Sequence, residues 1–265
     1  MPEMQRGSRS RTGRFLVGLG LVLVGACGSE ADPPAAPRRP ALAAELRPVA
    51  SALDRGELAQ ARALAEAYLA AHPGDAQASF LIGLSFALAD NHGAARPFLE
   101  AALEAAPDFD LAWEPLARTR FLLGDLAGAE AAYTEVARRV PGDPKGPHGL
   151  GLVALERGEL PAATAHFRAA LAAFDALEQT DPRQAAARAG ERSESHARLG
   201  DAHFQAGDMP AARAEFERAL ALSSGNVSAL YTLALVHRRL GEEALARETE
   251  ARHARAVEAA RSAPR

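Results

Sequence analysis

A glycine or aspartate position that recurs every 34 residues constrains this chain more than any other feature. Four of the five intervals are 34 residues and the fourth, from Gly158 to Gly207, is 49; the position is occupied by Gly56, Asp90, Gly124, Gly158, Gly207 and Gly241. An alanine stands five residues beyond each of them. Self-similarity at a period of about 20–50 residues is typical of chains that stack one structural unit on the next. We therefore predict a protein built from six repeated units.

Composition predicts that these units are helical. Hydrophobic residues make up 48% of the chain but aromatic residues only 5%, so alanine and leucine, two of the best helix formers, dominate the apolar content. The recurring glycine can adopt the left-handed conformation that ends a first helix. Pro73, Pro107 and Pro141 can end the second helix of a unit. Each unit is therefore expected to be a helix–turn–helix in an all-α protein.

The 34-residue unit resembles the tetratricopeptide repeat, which has Leu-Gly and an aromatic residue on its first helix, then Ala, a large residue and Ala on its second. The second unit supplies Ile82, Gly83, Phe86, Ala95, Leu99, Ala102 and Pro107, and the third supplies Trp113, Leu116, Ala117, Ala129, Tyr133 and Pro141. The resemblance implies a right-handed superhelical solenoid within residues 41–265, ending in a capping helix. The repeats are placed at about 42–75, 76–109, 110–143, 144–177, 193–226 and 227–261. Positions 8 and 20 of each repeat are small so that helices approach closely, and position 24 is large.

Three places depart from this pattern. Pro48 and Val49 replace Leu-Gly in the first repeat, which predicts a short or irregular first helix. Glu250 and His253 replace the large residue and the alanine of the last repeat, and a polar outer face suits a terminal helix. The insertion at about 175–192 is interpreted as a helical hairpin, with a helix continuing through Leu177 and another from Pro182 to about Ala206. Asp181 is its expected N-cap; an irregular loop is the alternative.

The amino terminus has the features of an export signal. Basic residues up to Arg14 precede the apolar run 15–26, which is too short for a bilayer core that needs about 20 helical residues. The run ends in Val-Gly-Ala-Cys, which resembles the lipobox of bacterial lipoproteins and implies lipidation of Cys27 after removal of residues 1–26. Residues 27–40 would then form a proline-rich tether, and the absence of aspartate after Cys27 favours the outer membrane, facing the periplasm. An ordinary signal peptide beside a buried cysteine is the alternative.

Charge and motif content argue against several function classes. The formal net charge is −4, with +3 on residues 1–26 and −7 on the remainder, so no cationic surface for nucleic acid is expected. The eight histidines include His196, His203 and His237, but none belongs to a metal-binding motif, and half-buried packing is the better interpretation. No nucleophile–base pair or phosphate-binding glycine loop is recognisable. We expect no catalytic residues, no metal and no cofactor.

The resemblance also implies where a partner binds. In tetratricopeptide solenoids positions 2, 5, 9, 12 and 13 of each first helix face the concave groove. This assigns to the groove Phe80, Leu84, Leu88, Arg118, Phe121, Leu122, Leu152, Leu155, Phe204, Tyr231 and Leu235, with Lys145, His148, Arg238 and Arg239 as further polar members. Packing of the leucines against neighbouring helices is the alternative. Because contiguous apolar surface usually marks interaction sites, an amphipathic helix or an extended apolar peptide is the expected ligand.

Two classes of function fit these observations. The first is a membrane-anchored scaffold or adaptor that holds a protein partner in the bacterial cell envelope, with a pilotin-like assembly factor for a type IV pilus secretin as its sharpest form. The second is a periplasmic protein that binds a small ligand. A co-purified protein partner would favour the first, and a co-purified small molecule the second.

Overall fold

The computed structural model describes residues 42–262, and all the regular structure in that range is helical. The first helices of six pairs are α1 (Arg47–Asp54), α3 (Ala76–Leu88), α5 (Trp113–Leu122), α7 (Lys145–Glu156), α10 (Ala189–Gln205) and α12 (Val227–Arg239). The second helices are α2 (Leu58–Ala71), α4 (His92–Ala105), α6 (Leu126–Arg139), α8 (Leu160–Thr180), α11 (Met209–Leu222) and α13 (Glu243–Ser262). The short α9 (Pro182–Ala187) precedes α10, and 3-10 turns precede α1 (Ala44–Leu46) and α5 (Asp110–Ala112). The predicted all-α solenoid is confirmed.

The recurring glycine makes the turn inside each helix pair. Gly56, Gly124 and their equivalents have φ between 73° and 82°, and Asp90, at the same position of the second repeat, has φ 57°. Among residues 42–262, Asp90 is the only non-glycine residue with a positive φ. The αL conformation predicted for this position is therefore present even where the residue carries a side chain.

Small residues let the two helices of a pair approach closely, as the pattern predicts. A Cβ atom on Gly151 would lie 2.6 Å from the ring of Phe167, and one on Gly200 would lie 2.9 Å from the ring of Phe216. Both rings are fully buried. Position 8 therefore accommodates the large side chain of position 24 within the same repeat.

The first repeat is irregular, as Pro48 predicts. Its first helix is the 8-residue α1, preceded by a single 3-10 turn. In the last repeat, Glu250 forms an ion pair with Arg238 instead of filling the gap between α12 and α13. The polar terminal helix expected there is present as the 20-residue α13.

The insertion between repeats four and five is helical, but one prediction about it was wrong. Helix α8 extends to Thr180, and Asp181 accepts a hydrogen bond from the Gln184 backbone N–H at 3.0 Å, as expected of an N-cap. The helix predicted from Pro182 to Ala206 is instead broken at Arg188. The Arg188 guanidinium turns inward, where it binds Asp143 at 3.2 Å and lies 5.5 Å from the Phe174 ring centroid. These long-range contacts coincide with the break between α9 and α10.

Contacts between repeats identify the inner surface of the solenoid. Each first helix contacts the next first helix, from α1 with α3 through to α10 with α12. Within residues 42–262, no second helix contacts the next second helix to the same extent. The first helices are therefore on the inside of the curvature, and their free sides form the concave face.

Candidate functional site

Most of the predicted groove residues are half-buried on the first helices. Leu84, Leu88, Phe121, Leu152, Leu155, Phe204, Leu235 and Arg118 are in this class. Leu122 is 42% exposed and Tyr231 is 57% exposed. Leu84 and Leu88 also pack against the core of the first repeats, and Leu152 and Leu155 against that of the fourth. Both interpretations of these leucines, groove lining and packing against neighbouring helices, therefore apply, because one side of each leucine packs on the core and the other is accessible.

The assignment of Phe80 to an open groove was wrong. Phe80 is only 6% exposed, and its ring meets the ring of Phe109 edge to face at a centroid distance of 5.1 Å. Phe109 is itself buried and comes from the loop that leads into the third repeat. Phe80 is therefore a core residue at the junction of two repeats.

An apolar row lies at the carboxyl ends of three neighbouring first helices. It consists of Leu88 at the end of α3, Phe121 and Leu122 at the end of α5, and Leu155 near the end of α7. We call these four residues the apolar row. The three helices follow one another along the concave face, since α3 contacts α5 and α5 contacts α7. The row places apolar side chains of three successive repeats on the concave face, Leu122 exposed and the other three half-buried.

Two aromatic groove residues contact neighbouring side chains that the repeat pattern does not predict. The Arg239 guanidinium lies 4.3 Å from the Phe204 ring centroid and covers one face of that ring by a cation–π contact. The Tyr231 ring lies 5.7 Å from the ring of His253, beside a cleft of about 110 Å³. Phe204 is thus partly shielded, whereas Tyr231 is open.

The polar groove residues differ in how they are paired. Arg118 and Lys145 form no ion pair with any residue in 42–262. Burial and the positive charge of Arg118 lower the pKa of the neighbouring His92. His148 contacts the Ser195 hydroxyl at 2.9 Å through Nδ1, and burial lowers its pKa to about 4. His148 is therefore neutral at pH 7 and joins α7 to α10, while Arg118 is a cation available to a partner.

A charged cluster on α10 belongs to the same face and was missed. Arg198 binds Glu194 at 2.6 Å and Asp201 at 3.2 Å. Burial raises the pKa of Asp201 to about 6 in spite of the opposing charge of Arg198. Asp201 occupies position 9, as Leu84, Arg118, Leu152 and Leu235 do, so the positional rule itself would have found it. In repeats two to four the groove is thus mainly apolar, with Arg118, Lys145 and His148 as its polar members, and in repeat five it carries a half-buried charge network.

His196 and His237 pack between helices and His203 is half-buried, as predicted. His196 Nδ1 donates to Glu215 at 2.7 Å, and His237 Nδ1 donates to Glu242 at 2.6 Å. Burial alone would raise the pKa of Glu215, but the hydrogen bond and charge of His196 leave it lower than usual. Within residues 42–262, no group of three or more histidine or carboxylate side chains is arranged to bind a metal ion.

The proposed anchor at Cys27 lies outside the described residues, as do residues 1–41. None of the helices in 42–262 is both long enough and apolar enough to span a bilayer.

Comparison with known proteins assigns the repeats to a family. The family model of the tetratricopeptide repeat matches residues 50–110, 94–144, 115–178, 148–226 and 197–264. No curated protein matches the chain by sequence.

Solved structures resemble the fold at low sequence identity. The Cut9–Hcn1 hetero-tetramer of the APC/C matches with a TM-score of 0.66 and 20% identity over 80% of this chain, which spans only 39% of that one. PilF of Pseudomonas aeruginosa matches with a TM-score of 0.57 and 20% identity over 68% of this chain and 76% of that one. YrrB, described as a TPR protein with an unusual peptide-binding site, matches with a TM-score of 0.54 and 17% identity over 69% of this chain and 87% of that one.

These likenesses extend to the fold alone, whereas the family match runs from residue 50 to residue 264, almost the entire described range. The chain belongs to the tetratricopeptide repeat family, whose solenoids mediate protein–protein interaction.

Proposed function

We propose that this protein is a membrane-anchored scaffold of the bacterial cell envelope that holds a helical or extended apolar peptide in its concave groove. The observation that carries the proposal is the apolar row on α3, α5 and α7. Its residue on the middle helix, Leu122, is 42% exposed although α5 has α3 with Leu88 on one side and α7 with Leu155 on the other. Contiguous exposed apolar surface usually marks an interaction site. The role proposed is binding without catalysis.

The charges beside the apolar row narrow the chemistry of the peptide. Arg118 lies one helical turn before Phe121 and Leu122 and has no carboxylate partner among residues 42–262. A ligand that places apolar side chains on the row and a carboxylate near Arg118 would satisfy both features. Because a partly desolvated cation gains more from an acceptor than one in free water, such a carboxylate contributes specificity as well as affinity.

The anchor is the second element of the proposal. The apolar run 15–26 followed by Cys27 resembles a lipoprotein signal, and residues 28–40 would tether the solenoid at up to about 40 Å from the membrane. Since one acyl chain alone binds membranes weakly, the several chains of a bacterial lipid anchor suit permanent attachment. We propose the outer membrane, with the groove facing the periplasm.

Two narrower alternatives have less support. A pilotin-like role for a type IV pilus secretin needs a secretin-specific contact, and no feature of residues 42–262 identifies one. A small-ligand protein generally has an enclosed pocket of about 300–1,000 Å³. The cleft beside Tyr231 is only about 110 Å³. A larger cleft of about 330 Å³, lined by Leu220, His237 and Leu245 among others, is an open surface depression and not an enclosed pocket, which favours a macromolecular ligand.

A matched pair of substitutions tests the groove. Leu122→Glu places a charge in the apolar row, and Leu64→Glu places one on α2, where Leu64 is 39% exposed on a second helix. Both variants should keep their melting temperatures, because neither side chain is in the core. Proteins captured from envelope extract by the wild type should be lost by Leu122→Glu and kept by Leu64→Glu. Equal capture by both variants would refute the groove assignment.

The anchor has a separate test. Cys27→Ser should abolish incorporation of a palmitate analogue and release the protein into the soluble periplasmic fraction. Retention of label on the serine variant would refute lipidation at Cys27 and leave the groove proposal intact.

A further inference from the structure

The contacts between successive repeats show which positions of a repeat pack against the repeat before it. At the junction of repeats three and four, a Cβ atom on Gly149 would overlap the ring of Tyr133, and one on Gly146 would lie 2.8 Å from the Ala137 Cβ atom. In repeat numbering, positions 24 and 28 therefore meet positions 6 and 3 of the next repeat. Arg62 donates to the Ser85 hydroxyl at 3.2 Å, which joins position 21 to position 10. Positions 3, 6 and 10 form the receiving face.

The first repeat keeps the shape of a receiving face although no repeat covers it within residues 42–262. Positions 3 and 10 are small or β-branched and buried in repeats two to six: Ala78, Ala112, Gly146, Ser195 and Ala229 at position 3, and Ser85, Thr119, Val153, Ala202 and Val236 at position 10. Their equivalents in the first repeat, Ala44 and Ser51, are small and exposed. The 3-10 turn at Ala44–Leu46 is no obstacle, since repeat three begins with one and still receives repeat two.

The last repeat presents the complementary positions, also uncovered. Arg247 at position 21 and Ala254 at position 28 are exposed, and Glu250 at position 24 is half-buried. Tyr231 at position 5 is 57% exposed, whereas its equivalent His148 contacts Ser195 of the next repeat. The exposure of Tyr231 is therefore what an uncovered junction produces.

The side chains at the two ends are complementary in charge. Transferring the internal junction geometry to the ends would place Glu250 at position 24 against Arg47 at position 6. Arg47 has no ion pair with any residue in 42–262, and Glu250 uses only its Oε1 atom for Arg238. The same transfer places Arg247, at position 21, beside Ser51 at position 10 and Glu57 at position 16. Residues of the same types are paired at these positions at two junctions inside the solenoid. They are Arg62 with Ser85, and Arg213 with Glu242 at 2.9 Å.

We propose that the carboxyl-terminal end of one solenoid, formed by Tyr231, Arg247, Glu250 and Ala254, binds the amino-terminal end of a second copy at Ala44, Arg47, Ser51 and Glu57. The contact continues the repeat stacking from one molecule to the next. It is head-to-tail, so each added copy leaves one free face of each kind. Because it is polar and lacks the large apolar residue at position 24, it is reversible and weakened by salt.

Disulfide trapping of the full chain tests this contact. Since Cys27 is the only cysteine, all variants carry Cys27→Ser. Ala44→Cys and Ala254→Cys are made in separate chains, mixed in mild detergent at low salt and oxidised with glutathione. Their positions correspond to those of Gly146 and Ala137, whose Cβ positions would lie 2.8 Å apart inside the solenoid. A disulfide needs about 3.5–4.5 Å between its Cβ atoms, so the bridge forms if the end-to-end contact is about 1 Å wider than the internal one. The expected product is a mixed dimer, seen on a non-reducing gel, in excess over either homodimer.

Charge reversals and a matched control make the result decisive. Ala131→Cys, exposed on α6 in the middle of the solenoid, replaces Ala44→Cys in the control and should trap little mixed dimer with Ala254→Cys. Arg47→Glu in the first chain, or Glu250→Arg in the second, should lower the yield about three- to tenfold, and both together should restore it. Circular dichroism checks that each variant is folded. A yield no higher than that of the control, or one indifferent to the charge reversals, would overturn the proposal.

Discussion

Phe80 and Tyr231 occupy position 5 of their repeats, yet the structure predicts opposite consequences for removing their rings. Phe80 is 6% exposed and packs edge to face on Phe109, whereas Tyr231 is 57% exposed beside an open cleft. Phe80→Ala should therefore destabilise the protein strongly and Tyr231→Ala only slightly. Comparing the two variants separates the effect of burial from the effect of repeat position, because the rule that assigns position 5 to the groove treats Phe80 and Tyr231 alike.

The magnitudes follow from the burial of each ring. Removing a buried phenylalanine side chain costs about 3–5 kcal/mol, made up of lost apolar burial, a cavity and the contact with Phe109. Tyr231 has less than half of its surface to lose, so its truncation should cost about 1 kcal/mol. In a chain of this size each kcal/mol shifts the melting temperature by about 2–4 °C. The expected losses are about 6–20 °C for Phe80→Ala and about 2–4 °C for Tyr231→Ala.

Thermal unfolding followed by circular dichroism measures both variants against the wild type. Because repeat arrays can unfold in parts, hydrogen exchange should also show lost protection in α3 for Phe80→Ala. Similar losses for the two variants would refute the reasoning, since they would mean that Tyr231 is covered or that Phe80 is not.

Three further predictions concern single positions. Ala129→Leu should cost about 1–3 kcal/mol of stability in urea unfolding, whereas Ala131→Leu should cost almost nothing, because Ala129 is fully buried and Ala131 is exposed on the same helix. Asp90→Gly should raise the free energy of unfolding by up to about 1 kcal/mol, since glycine adopts φ 57° without steric cost. The raised pKa of Asp201, about 6 against 3.8, means that its ionised form opposes folding above pH 6. Asp201→Asn should therefore be the more stable protein at pH 7, with a gap that shrinks as the pH falls from 6 towards 4; a constant gap would contradict this.

The helices and their pairing could be predicted because they depend on residues inside one repeat. The glycine with positive φ and the small residue at position 8 act within a single helix pair, as the contact between Gly151 and Phe167 illustrates. Such constraints recur with the period of the sequence. Reading the period is therefore enough to place α3 to α8 and α11 to α13.

The groove was harder to predict because its exposure depends on residues that do not recur. Phe80 is buried by Phe109, a residue from the loop after α4, and Phe204 is covered by Arg239 from the end of α12. The break at Arg188 likewise coincides with a long-range contact, to Asp143, which lies 45 residues away in the chain. In each case one non-periodic long-range contact changes the accessibility or geometry of a position that the repeat alone describes correctly.

The same distinction explains why the two ends of the solenoid are informative. Inside the array a residue at position 3, 6 or 10 must fit the repeat before it, and those positions are accordingly small or buried in most repeats. The first repeat has no such neighbour within residues 42–262, so nothing in that range requires Ala44 and Ser51 to be small or Arg47 to be unpaired. A terminal face that needed only solubility would be served by large charged residues throughout. Small residues beside a single unpaired arginine, opposite a terminal face that carries Glu250, are better explained by a surface that receives another repeat.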